Sequence, residues 1–317
     1  MKKVLIILLL MVIALSGCAS PFIQEENAEQ TFLSANKLDS SFNYPKPLTL
    51  EEVKTTIIAE GLQLSGNQGE TPNDYVINNV TPTIYTINQN NILMIYIYES
   101  IALRKEVCEF GGMGYYDSSK LPQKENWLTI AYTAKNALII DMCNIENYQS
   151  NTTAFVQVLN SNRAAADSLN GVKEMVFADK GSCWDARYTV KYFQYWYKDN
   201  TGKIGIDQYS KGQWLVKYLG SDPESIHDLK YEYTHLAGGG SGNINGPGIL
   251  HKIGKDYYLR LSYSEGRSIP NKDDVYTLTI QCEGKKDTLH LKMISDTNRY
   301  SLPIVSMYFL KQQGFMK

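Results

Sequence analysis

The chain of 317 residues carries a net charge of −2, with 43% hydrophobic and 20% charged residues. That balance belongs to a globular protein able to bury a core, and at ~150 residues per domain its length predicts two domains. No basic cluster marks a phosphate-binding face, which excludes nucleic acid as a partner, and no apolar run reaches the ~18–20 residues of a membrane-spanning helix.

In chain order, the N-terminus comes first. Lys2 and Lys3 precede an almost uninterrupted aliphatic run over 4–15, too short to span a bilayer and of the length of a signal-peptide apolar region. Leu15-Ser16-Gly17-Cys18 closes it, and these residues resemble the lipobox of bacterial lipoproteins. The resemblance implies that Cys18 receives a diacylglyceryl group and becomes the first residue after cleavage. Loss of 1–17 removes two lysines and leaves the mature chain at −4. A lipid anchor on the extracytoplasmic face of the cell membrane is the expectation, since two acyl chains hold stably where one holds marginally. Residues 18–45, with Glu25, Glu26, Asn27, Glu29 and Gln30, read as a lipidated polar tether.

Order resumes at Pro47. Thr49-Leu50-Glu51-Glu52 is a capping box, and Leu50, Val53, Ile57 and Ile58 follow at helical spacing until Gly61. Alternation over 83–88, a polar turn and the strand-like 91–98 predict a hairpin. A helix over 100–110, stopped by Gly111-Gly112, comes next. Residues 127–133 and 137–142 then form a second hairpin around Ala134-Lys135-Asn136, and 153–169 return to helical spacing. The expected domain over 46–171 is α+β, a small antiparallel sheet with helices on one face.

From Val172 the helical signals nearly vanish. Strands are predicted over 172–178, 186–197, 203–209, 214–219, 229–236, 257–263, 275–282 and 288–293, with Gly-containing turns between them. This pattern predicts an all-β sandwich over 172–317, Ig-like architecture included, with closure into a barrel as the alternative. The tail from Ser295 is left open between a strand and a short helix. The 23 tyrosines suit sheets whose faces are half wet. Phe193, Tyr195 and Tyr197 share one face of a strand, to be covered by the tail, packed on the first domain or left as a binding surface.

No catalytic pattern is met. The run Gly238 to Gly248 fails as a nucleophile elbow, because Asn243 stands where glycine is required, and fails as a dinucleotide or phosphate loop. It reads as a flexible loop between strands, with Gly240, Ser241, Asn243 and Asn245 as candidate binding residues. His227, His235, His251 and His290 lack metal-ligand spacing. A triad of His235, Ser241 and Asp228 can be written without local support. Asp199-Asn200-Thr201-Gly202-Lys203 is a hairpin turn rather than a calcium loop, and Asp273-Asp274 a solvated loop. No cofactor or metal is expected. Cys18 aside, the cysteines are Cys108, Cys143, Cys183 and Cys282, two in each expected domain. Cys108–Cys143 and Cys183–Cys282 would therefore be the bridges, yet no CxxC or framework spacing enforces them, and buried free thiols are the stronger expectation.

Three stretches carry a wider resemblance. They are Val176-Phe177-Ala178-Asp179-Lys180-Gly181-Ser182-Cys183-Trp184 ahead of Tyr188-Thr189-Val190, the Gly/Ser/Asn-rich 238–248, and Thr83-Ile84-Tyr85 leading to Ile95-Tyr96-Ile97-Tyr98-Glu99-Ser100. They are similar to segments of uncharacterised surface lipoproteins of low-GC Gram-positive bacteria. The likeness covers most of 45–293 and implies fold and location but no activity. The leading expectation is a non-catalytic binding protein of the cell envelope, meeting a protein or glycan. A solute-binding lipoprotein of an uptake system and an envelope-acting hydrolase are the alternatives.

Overall fold

In the computed structural model, residues 44–87, 91–108, 121–146, 152–235, 238–261 and 264–297 are described. Every strand pairing among them is antiparallel, in two sheets. The signal and Cys18, the tether to 43, Gly111-Gly112 and the tail beyond 297 lie outside these residues.

The chain enters helix α1, Leu50–Ala59, through the expected capping box. Thr49 Oγ1 accepts from the Glu52 amide at 3.3 Å, and Glu52 Oε2 accepts from the Thr49 amide at 2.7 Å. Strands β1 (Leu64–Gly66), β2 (Thr83–Ile87), β3 (Asn91–Ile97), β4 (Trp127–Ala134) and β5 (Ala137–Asn144) form the first sheet, in the order β1-β2-β3-β5-β4. Helix α2, Ile101–Val107, follows β3, with Ser100 as its N-cap, and α3, Thr152–Asn170, follows β5. Side chains alternate across the sheet. Leu93, Ile95 and Ile139 meet Val53 and Ile57 of α1 and Val158, Ala165 and Leu169 of α3. Met94, Tyr96 and Ile140 face the other way, onto Ile77, Val107 and Leu121. Both faces are therefore covered. The expectation of helices on one face is corrected, because Val107 at the end of α2 belongs to the second core.

The second sheet takes β6 (Lys173–Lys180), β7 (Trp184–Lys198), β8 (Ile204–Tyr218), β9 (Asp228–His235), β10 (Gly238–Asn245), β11 (Leu250–Ile253), β12 (Asp256–Leu259), β13 (Ser264–Gly266), β14 (Tyr276–Cys282) and β15 (Lys285–Thr297). Its order is β10-β9-β14-β15-β6-β7-β8-β12-β11, with β13 also on β8. Trp214 of β8 and Tyr233 of β9 have ring centroids 5.5 Å apart. Five strand spacings of a flat sheet would hold them about 24 Å apart. One continuous sheet therefore curls over on itself and encloses a core of Phe177, Trp184, Val216, Leu229, Leu278 and Leu289. The class is α+β with a sandwich-like all-β part, its two layers drawn from a single sheet. Glu283 (φ 49) and Gly284 (φ 73) make the two-residue turn between β14 and β15 that right-handed strand twist favours.

The long hairpin of β7 and β8 changes its buried face along its length. Trp184, Ala186, Tyr188 and Val190 point into the curl, whereas Phe193 and Tyr195 are buried on the opposite face. That outer half packs on Ile101 of α2 and Val172. Asp207, the cross-strand neighbour of Tyr195, accepts from Arg104 Nη2, from Lys105 Nζ at 2.9 Å and from Tyr195 Oη at 3.0 Å. Arg104 also donates to the carbonyls of Lys135 (2.7 Å) and Cys108 (2.9 Å). The Lys135 amide donates to Asn170 Oδ1 at 3.0 Å and Tyr195 Oη at 3.1 Å. A buried polar joint thus ties the two sheets together.

Candidate functional site

Phe193 and Tyr195 form no binding surface: both are buried against α2, Tyr197 is half-buried, and Lys105 Nζ lies 5.4 Å from the Tyr197 ring centre. Hydrophobic burial and the Asp207 hydrogen bond have taken the face that sequence left open. Of the three outcomes considered, packing on the first domain, through α2, is the one seen among the described residues.

Gly240, Ser241, Asn243 and Asn245 have a different setting. The glycine-rich run is a strand, β10, in register with β9 from Gly238 opposite His235 to Asn245 opposite Asp228. The tyrosines across from it explain why glycines hold a strand here. A Cβ at Gly240 would lie 2.7 Å from Tyr233 Oη, and one at Gly242 would lie 2.7 Å from Tyr231 Oη. The rings of β9 lie over the glycines of β10 and supply the packing surface those glycines lack. Ile244 joins the same inner side, packed on the curl's core. Ser241, Asn243 and Asn245 stand exposed on the other side.

Among the described residues β10 pairs with β9 alone, so it forms one edge of the second sheet. Such an edge presents a row of open N–H and C=O groups, and proteins normally blunt it with charge, proline or a very short strand. Over Gly238–Asn245 there is no Lys, Arg, Asp, Glu or Pro. The opposite edge, β11, is four residues long and carries Lys252. In the first sheet, β1 has three residues, and most of β4 is buried beside α3. Beta10 is thus the one long, uncharged and exposed edge among the described residues.

The paper triad comes apart. Asp228 and His235 occupy opposite ends of β9, about 24 Å apart by strand rise, and the His235 ring lies against Tyr276 at 5.1 Å. Asp199 closes the β7–β8 turn as expected, its Oδ1 accepting from the Thr201 amide, the Thr201 hydroxyl and the Lys203 amide at 2.9, 2.6 and 2.9 Å.

Among the described residues, Cys108, Cys143, Cys183 and Cys282 form no disulfide. Cys108 belongs to the core beneath α2, whereas strand alternation puts Cys143 on the α1–α3 face, so the sheet stands between them and the Cys108–Cys143 bridge is ruled out. Cys183 and Cys282 by contrast line one pocket with Ser182, Lys285 and Asp287. A further group had no signal in sequence. Asp141 of β5 is fully buried, burial pushes its carboxyl up to about 7, and neither carboxylate oxygen has a hydrogen-bond partner. The nearby Asn162 amide of α3 pulls the other way.

No family model, curated protein or solved structure matches the chain. The functional reading therefore stands on the site's own geometry. No helix among the described residues is long and apolar enough to cross a membrane, and no cluster of three or more His, Cys, Asp or Glu among them is arranged to hold a metal ion.

Proposed function

We propose that this chain is a lipid-anchored extracytoplasmic protein that binds an envelope protein by strand addition, without catalysis. The unblocked edge of β10 carries the reading. Its open backbone groups are matched by one kind of ligand, an extended polypeptide segment, which gains affinity from main-chain hydrogen bonds and specificity from alternate side chains. Ser241, Asn243 and Asn245 would meet every second residue of that segment on the exposed side. The tyrosines behind Gly240 and Gly242 hold the edge straight from within. Leu15-Ser16-Gly17-Cys18 supports the anchor, and the polar 18–45 supports a tether that lets the folded part reach a neighbour.

The test uses growing cells. A photo-crosslinking residue at Asn243 should yield one dominant adduct with a membrane or wall protein, and the same residue at Lys252 on the opposite edge should not. With the crosslinking residue kept at 243, Ser241→Lys with Asn245→Lys places charge on either side of it along the edge and should abolish the adduct while leaving the fold intact. Equal adducts at both positions, or an adduct indifferent to the lysines, would refute strand addition at β10. Incorporation of a fatty-acid probe that persists in Cys18→Ser would refute the anchor.

A further inference from the structure

Cys183 and Cys282 come from sequence positions about 100 residues apart and reach the same end of the second sheet. Cys183 sits in the turn between β6 and β7, and Cys282 is the last residue of β14. Both line an open pocket of about 260 Å³. Cys282 belongs to the buried core of the curl, and Cys183 is packed against that core. Burial first, then Glu283 and Cys183, push the Cys282 thiol up. The Cys183 turn is held in place: its amide donates to Asp287 Oδ2 at 2.9 Å, and its carbonyl accepts from the Leu219 amide at 2.9 Å. The two thiols differ in access, Cys183 being partly exposed and Cys282 buried.

We propose that Cys183 and Cys282 are a redox pair that closes to a disulfide across the open end of the curled sheet. The partner is an oxidant of the disulfide class. The partly exposed Cys183, as thiolate, attacks one sulfur of that disulfide, forms a mixed disulfide and expels one thiolate. Cys282, as thiolate, then attacks Cys183 Sγ and expels the second thiol. The two protein thiols lose two electrons and two protons, and the oxidant becomes two thiols. The bond locks the β6–β7 turn to the β14–β15 hairpin and closes a loop of about 100 residues, which restricts the unfolded chain. The argument is independent of strand addition at β10.

Full-length protein in detergent, treated with oxidised glutathione, provides the test. Non-reducing peptide mapping should find a single linked pair, Cys183 with Cys282, with Cys108 and Cys143 still alkylated as thiols. Tm should rise by several degrees and fall back on adding dithiothreitol. Cys282→Ser should halt the reaction at a glutathione adduct on Cys183. A different linked pair, full alkylation of Cys183 after oxidation, or a persistent Cys183–glutathione adduct in the wild type would overturn the proposal. These readouts leave the crosslinking result at Asn243 untouched, so either idea can fail alone.

Discussion

At Asp141 the usual chemistry of a carboxyl and its burial disagree. In the folded protein its carboxyl keeps a proton up to about 7, against an ordinary value of 3.8. The unfolded chain ionises first, so folding suffers no penalty from this group below pH ~4. Stability is lost as pH rises toward 7 and is level above it. At roughly 1.4 kcal/mol per pH unit over about three units, Asp141→Asn should stabilise by ~2–4 kcal/mol at pH 8 and by little at pH 4. Urea melts at the two pH values check this, and an equal effect at both would show that the carboxyl is not protonated in the fold. Asp207 has the opposite sign. Burial raises its pKa, but Arg104 and Lys105 outweigh burial and hold it below the usual carboxylate range. Its contribution is present above pH ~4 and is lost as pH falls through the lowered value.

At the scale of elements, β10 exists because another strand completes it. Gly240→Val would drive a side chain into the Tyr233 ring and push that ring off Trp214. A loss of ~1–3 kcal/mol is expected, as for other overpacked sites. Ser241→Val, on the exposed side of the same strand, should change stability by less than ~0.5 kcal/mol. Thermal melts of the two variants separate a packed strand from a loop, since a loop would tolerate both changes. Helix α1 offers a simpler case. Thr49→Ala removes the acceptor for the Glu52 amide and should cost ~1 kcal/mol.

For the molecule as a whole, the joint between the sheets decides cooperativity. Arg104 is almost fully buried and Asp207 nearly so. Asp207→Ala leaves the guanidinium without its counter-charge, a change that costs ~3–5 kcal/mol in buried pairs. The wild type should unfold in one transition, because the outer half of the β7–β8 hairpin, α2 and the Ala134–Ala137 turn share this network. In Asp207→Ala, calorimetry should resolve two transitions, one per sheet. A single transition merely moved to lower temperature would show that apolar packing of Phe193 on Ile101 couples the sheets without the ions.

Most elements were legible because their signals are local. The Thr49–Glu52 box, the alternation of 91–97 and the turn at Asp199 each depend on residues a few positions apart, so sequence alone determined α1, the first hairpins, the α+β class and the shift to strands after 172. Gly212 shows where local reading stopped. The expected strands 203–209 and 214–219 left a gap around it, whereas the Tyr188 ring lies over that glycine and one strand runs from Ile204 to Tyr218. The same cause turned the run at 238–245 from an expected loop into an edge strand: a glycine's flexibility is removed by a tyrosine on a neighbouring strand, which no local window contains. The candidate residues on β10 were named from composition, but only the sheet order made them an edge. Tertiary structure also decided that Tyr195 is buried rather than exposed, that Cys183 and Cys282 line one pocket, and that Asp141 lies buried beneath α3. In each case the partner lies far along the chain, and desolvation or contact at that distance leaves no periodic trace in sequence.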